Sequence, residues 1–495
     1  MSKPKAFLKQ SKSKKKAEQA LETADDFQAA GVDFEEAAGK WRAGDAVKSM
    51  RFFSRAIEVY DQGLQTFPAS VDLAYNKARV LLEIATHPLL VPHLHQPLLE
   101  VLEQTLEAHR YALTLDQDNP DTLFNTAQVL TAIAEVYARD PNHADQDVLQ
   151  LLEEALELQN RCLSIQEFKL DEYTQQQNEA AAQIASENSA EPITDVDDEG
   201  NAASSGTGTE DHWFSVVEPV TKDTLVDTIL AQLGTLTTLS SFLSSSDSIP
   251  TSSLAYIEEY SSKLVKTKLP PLLQDAGPER LQEVALARAN LASELLKAGY
   301  LLGLIDPTTF KRERDEAFQV AELDLERSFP ALVANANSLI AFNTGLADGE
   351  PSNAVSYASM RWSALAAAIA NMATASKISG PLPEDIAETH FIRGNCSLLQ
   401  HQLGLPPTSY NAAIANGPQL LKNAETFYRN ASKLYQDTEQ KAVSQLRAIV
   451  AQAVQTRVDI ASTAAQHDQG KGRDWVRAQL DDMVDDGLIT PSQSL

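Results

Sequence analysis

The sequence predicts an all-α protein assembled from repeated helix pairs. Three observations carry that expectation. Strand-like alternation is almost absent. Nearly every segment of ten or more residues spaces its apolar side chains by three and four. Those segments are also rich in Ala, Leu, Gln and Glu, which favour helix. The 43% hydrophobic content is enough to drive folding despite a net charge of −28.

Residues 1–20 open the chain as a basic tail, with seven lysines and no acid in MSKPKAFLKQSKSKKK. Lys12, Lys14, Lys15 and Lys16 have the character of a nuclear-import signal, or equally of a solubilising end. Residues 21–186 form a first helical block. In 187–211, ENSAEPITDVDDEGNAASSGTGTED, the periodicity is lost and Gly, Ser, Thr and acid accumulate, which predicts a disordered acidic linker. Within it, Thr194 precedes Asp195, Asp197, Asp198 and Glu199, the pattern of an acid-directed phosphorylation site. A second, degenerate helical block runs over 212–466, with Leu225, Ile229, Leu233 and Leu236 on one helix face. Residues 467–495 are expected to form a tail carrying one short amphipathic helix detached from the block.

An internal repeat organises the first block. Asp72-Leu73-Ala74-Tyr75-Asn76-Lys77-Ala78-Arg79-Val80-Leu81 aligns with Asp121-Thr122-Leu123-Phe124-Asn125-Thr126-Ala127-Gln128-Val129-Leu130. Five of the ten positions are identical, and an aromatic residue faces an aromatic residue at a sixth. The copies lie 49 residues apart because the proline-rich segment His87–Pro97 inserts a loop, proline being unable to continue a helix interior.

These residues resemble the tetratricopeptide repeat (TPR), a helix–turn–helix unit. Ala112, Leu113, Leu115 and Asp116 before Asn119-Pro120 match its motif, as do Ala78 and Ala127 at its small-residue position. Gly44-Asp45 matches its turn, and Phe53 and Ala56 match the second helix of a first unit. Ala155, Gln159 and Cys162 match that of a third. Fainter echoes are Leu291, Ala292, Leu295 and Gly299, then Gly394 with Ala424, Tyr428 and Ala431. The resemblance implies a TPR-like α–α superhelical solenoid with irregular, insertion-containing repeats. Small residues are needed where helix axes approach to roughly 8–10 Å. Each pair buries its apolar face on the next, leaving a concave face open to ligand.

In that register Phe34, Glu35, Tyr75, Asn76, Phe124 and Asn125 point into the groove, with Asp72, Glu83 and Asp121 beside them. Asn amides can pair with the backbone of an extended peptide, aromatic rings offer apolar platforms, and acids favour Lys or Arg on the partner. The basic clamp with which some TPR proteins hold acidic chaperone tails is not matched. Asn76 fits one position, but Phe34-Glu35-Glu36-Ala37-Ala38 replaces the first basic motif, and Thr122 and Asn125 stand where a basic pair is expected.

Other chemistry is weakly signalled. His87, His93 and His95 lie in a proline-rich loop with no Cys or acid to complete a zinc set, so no metal and no cofactor is expected. Gly470-Lys471-Gly472-Arg473 lacks the spacing of a phosphate loop and suggests a hinge before a helix. Cys162 and Cys396 fall on helix-packing positions, too few for a disulfide framework. Strong acidity argues against nucleic-acid binding except through the lysine tail, and no apolar run is long enough for a membrane span. The expectation is a non-catalytic adaptor, or a dedicated assembly chaperone in the cytoplasm or nucleus. Its groove would take an extended basic segment of a protein partner, for example a ribosomal protein or nuclear factor. The alternative is a structural subunit of a larger complex, with an enzyme a more distant third.

Overall fold

In the computed structural model, residues 21–140, 143–187, 220–245, 251–349 and 355–491 are described. The basic tail with Lys12, Lys14, Lys15 and Lys16, most of the acidic linker, and Thr194 lie outside them. Every regular element among the described residues is helical. The chain divides into two compact units, Met1–Ile133 and Ala134–Leu495.

Unit 1 begins with a helical hairpin, α1 (Ala24–Arg42) and α2 (Ala46–Thr66). Thr23 and Asp26 form a reciprocal capping box at the start of α1. Gly44 closes the turn, and the Asp45 carboxylate accepts from the Lys48 backbone N–H at the start of α2. Next come α3 (Val71–Thr86), capped by Ser70, and α4 (Leu98–Leu115). The segment between them makes one 3-10 turn, Val91–His93, and buries Leu90 completely. Asn119 accepts from the Thr122 N–H to cap α5 (Pro120–Tyr137), in which the unit boundary falls. Phe27, Phe53, Tyr60, Leu73, Val80 and Ile84 form the core that joins α1, α2 and α3.

Unit 2 starts with α6 (Asp145–Glu187) and α7 (Lys222–Ser245). Then follow α8 (Thr251–Lys263), a π-helical turn over Leu264–Lys268, and α9 (Leu269–Leu272). The run continues with α10 (Pro278–Leu301), α11 (Pro307–Phe318), α12 (Phe329–Asp348), α13 (Ala358–Ala375) and α14 (Pro383–Gln402). It ends with α15 (Asn411–Leu434), α16 (Thr438–Thr456), α17 (Ile460–Ala465) and α18 (Arg473–Asp485). From α10 onward most helices pack against their sequence neighbours, the topology of a helical solenoid.

The expected division in the 187–211 linker is not where the compact units part. Leu152, Leu156 and Leu163 of α6 share one core with Leu225, Ile229, Leu233 and Leu236 of α7. Buried hydrogen bonds reinforce it, from Gln159 to Thr235 (3.0 Å) and from Thr228 to Gln166 (2.7 Å). Nor is the C-terminal helix detached. Val476, Leu480, Met483, Leu488 and Ile489 join the large core of unit 2, and Trp475 Nε1 donates to Glu439 at 2.6 Å. Gly470 and Gly472, in the segment before α18, adopt φ +77° and +92°.

Candidate functional site

The helix pairs repeat one side-chain device. In unit 1, a Cβ placed on Gly31 of α1 would lie 2.2 Å from Tyr60 Cε1 on α2. In unit 2, a Cβ on Gly394 of α14 would lie 2.5 Å from Tyr428 Cε1 on α15. Both tyrosines are fully buried, and each hydroxyl is bonded to the helix carrying its glycine, Tyr60 to Glu35 and Tyr428 to Asn395. Ala56 and Gly63 flank Tyr60 at the spacings at which Ala424 and Ala431 flank Tyr428. All four small residues are buried, so the second helix of each pair presents the same face to the first. In this packing the two helix pairs resemble the tetratricopeptide-repeat unit.

No known family profile matches it. The UPF0656 protein C926.02 of Schizosaccharomyces pombe is 34% identical over 160 residues, covering 31% of this chain and 35% of that protein. Uncharacterized protein YNL193W of Saccharomyces cerevisiae is 39% identical over 92 residues, 17% of this chain and 16% of its own. The chain therefore matches about a third of the first relative's length and less of the second's. Among solved structures, a circular tandem repeat protein with novel repeat topology aligns over 94% of this chain and 96% of its own, at 12% identity and a TM-score of 0.29. Yeast Tom70 aligns over 94% and 93%, at 12% identity and a TM-score of 0.16. At scores this low, the repeat assignment rests on the helix pairs themselves.

The candidate groove lies in unit 1, where polar residues of α1, α3 and α5 gather. Glu35 of α1 accepts from the Tyr60 hydroxyl at 2.5 Å and pairs with Arg79 of α3. Tyr75, four residues before Arg79 and so on the same helix face, lies within electrostatic reach of Asp121 and Asn125 of α5. Burial pushes the Tyr75 hydroxyl above its ordinary value, and Asp121 adds to that, while Arg79 and Asn125 oppose it. The Tyr60 hydroxyl is raised likewise, by burial first and Glu35 second. For Arg79, burial favours the neutral form, but contact with Glu35 outweighs it and holds the guanidinium above its usual value. These phenols and this guanidinium do not titrate near neutrality; they order the surface.

The sequence-selected residues are distributed unevenly. Glu35, Tyr75, Asp121 and Asn125 are brought together. Asn76 and Phe124 are half-buried beside them in sequence, and Asp72 is exposed in the first turn of α3. Asp72 and Asp121 both lie where a helix N-terminus favours negative charge. Glu83 is ion-paired with Arg42, and Lys77 with Asp61 at 2.6 Å. Phe34 lies apart, beneath Arg55 of α2 at 6.0 Å. The acids alone therefore overstate the negative charge of this surface, because Arg79 and Arg42 neutralise Glu35 and Glu83. Sequence reasoning missed Tyr60, Arg79 and Arg42. For Arg79 the signal was present in its four-residue spacing from Tyr75; for Arg42 and Tyr60, partners 41 and 25 residues distant left none.

No cluster of His, Cys, Asp and Glu suited to a metal ion exists among the described residues. His109 is buried, with Nδ1 2.9 Å from the Thr105 carbonyl, and burial lowers its pKa. A cavity of about 630 Å³ in unit 2 lies among α8, the π-helical turn, α10 and α11, and its lining includes neither His nor Cys. Among the described residues no helix is long and apolar enough to cross a membrane.

Proposed function

We propose that this chain is a non-catalytic protein-binding adaptor or assembly escort that holds an extended segment of a protein partner along α1, α3 and α5 of unit 1. The observation that carries the reading is the Glu35–Arg79 ion pair between α1 and α3, with Tyr75 of α3 on the same face as Arg79 and within electrostatic reach of Asp121 and Asn125 of α5. Such a surface is ordered before binding, so little side-chain entropy is lost when a partner arrives. Asn76 and Asn125 carry amides that can pair with peptide backbone, and Phe124 supplies apolar area. Asp72 and Asp121 favour basic residues on the partner, although Arg79 and Arg42 temper that preference. The lysines at positions 12, 14, 15 and 16 support nuclear import as part of the same role.

Affinity purification of the full chain at low and high salt, with quantitative mass spectrometry, tests the proposal. A single basic, stoichiometric partner lost at high salt is expected, with capture weakened by Asp72→Asn combined with Asp121→Asn. A set of acidic subunits that survives high salt and ignores both substitutions would instead mark a permanent structural interface.

A further inference from the structure

Unit 1 treats its cations in two ways. Arg42, Lys77 and Arg79 are each held by a carboxylate, from Glu83, Asp61 and Glu35. Along α2, by contrast, Lys48, Arg51 and Arg55 form no ion pair among the described residues, although the chain carries 69 acids against 41 bases. Their spacing, with Phe52 among them, places all four on one helical face. The opposite face of α2, with Phe53, Ala56 and Tyr60, is buried in the core.

Aromatic rings hold two of these cations in place. The Lys48 ammonium sits 3.1 Å from the centroid of the Trp41 ring, which is 41% exposed. Arg55 lies over both Phe34 and Phe52, at 6.0 Å from each. A shallow depression of about 280 Å³ is lined by Asp45, Val47, Lys48, Arg51, Phe52 and Arg55. The one carboxylate there, Asp45, caps α2 through the Lys48 N–H. Like charges one turn apart on a helix repel one another, and Asp45 is the one carboxylate lining the depression.

We propose that this face of α2 docks an acidic segment of a partner protein. Two guanidinium groups one helical turn apart suit carboxylates, which they can grip through paired N–H donors, and Val47 with Phe52 offers apolar area between them. Charge complementarity favours a short acidic peptide over nucleic acid. Three cations neutralise only about three phosphates, while the net charge of −28 repels a long polyanion. This site lies on the second helix of its unit and takes a ligand of the opposite charge to the one proposed for the groove. It does not depend on the groove reading.

Fluorescence anisotropy with the full chain provides the test. The probes are a labelled Glu/Asp-rich peptide with one central Leu, the same peptide with Gln and Asn replacing its acids, a labelled Lys-rich peptide, and single-stranded oligothymidylate. The acidic peptide is expected to bind at low salt, with its neutral counterpart weaker by about tenfold or more. Arg51→Gln combined with Arg55→Gln should weaken acidic-peptide binding by a similar factor, leaving the thermal midpoint and Lys-peptide binding unchanged. Equal binding of the acidic and neutral peptides, or indifference to the double substitution, would overturn the proposal. So would tighter binding of the oligonucleotide through the same two arginines.

Discussion

The ring of Tyr428 covers Gly394 so closely that a methyl group on that glycine would sit 2.5 Å from ring carbon Cε1, and Tyr60 covers Gly31 in the same way. The two pairs come from different units and share buried small residues at the same spacings, Ala56 and Gly63 about Tyr60, Ala424 and Ala431 about Tyr428. Their shared geometry shows what the repeat preserves: a glycine on the first helix that admits a tyrosine from the second.

Gly31→Ala and Gly394→Ala should each destabilise the protein by about 1–3 kcal/mol, because a fully buried tyrosine ring cannot retreat without disturbing its neighbours. Gly39→Ala, on the same helix as Gly31, should act in the opposite direction. A Cβ there meets only the tip of Arg42 at 3.7 Å, so reduced backbone freedom should stabilise by about 0.5–1 kcal/mol. Urea unfolding of the three variants checks the contrast, and a stable Gly31→Ala protein would refute it.

Glu35→Gln should cost about 1–3 kcal/mol, since it leaves Arg79 without its carboxylate and weakens the acceptor for Tyr60. Adding Arg79→Gln should cost less than the two single changes summed, because the pair is lost only once. A double-mutant cycle that proved additive would show that the ion pair contributes nothing.

His109 gives a signed pH dependence. Burial lowers its folded-state pKa below the unfolded value of about 6.5, so folding favours the neutral ring. Its contribution is fully present above that pH and is lost as pH falls towards the folded pKa. His109→Leu should therefore gain stability relative to the parent as pH drops from about 7.5 to about 5.5. Thermal unfolding across that range measures it; parallel curves for the two proteins would be inconsistent with a buried neutral imidazole.

Both cysteines are buried, and desolvation pushes the Cys396 thiol up to about 12. Neither should react with iodoacetamide at neutral pH until the chain is unfolded, since the thiolate is the nucleophile. Labelling read by mass spectrometry with and without denaturant settles the point, and rapid native modification of Cys396 would contradict the packing described.

The sequence by itself determined the helical class, because apolar spacing of three and four is a local property of the chain. It also located the repeat register of the first block, in which Ala78 and Ala127 prove fully buried at equivalent positions. Through the alignment of α3 with α5 it proposed a common surface for Tyr75, Asn125 and Asp121. Only the tertiary structure decided which charges remain to meet a partner. Glu35 and Glu83 resemble any other surface acids in sequence, until α3 brings Arg79 to one and α1 brings Arg42 to the other. The compact units were hidden for the same reason. A composition shift marks where helices stop, whereas a core is defined by which faces meet, and the face of α6 meets α7 across the whole acidic linker. Local patterning fixes each helix and its apolar stripe. Pairing between stripes, and between charges tens of residues apart, emerges only once the helices are packed.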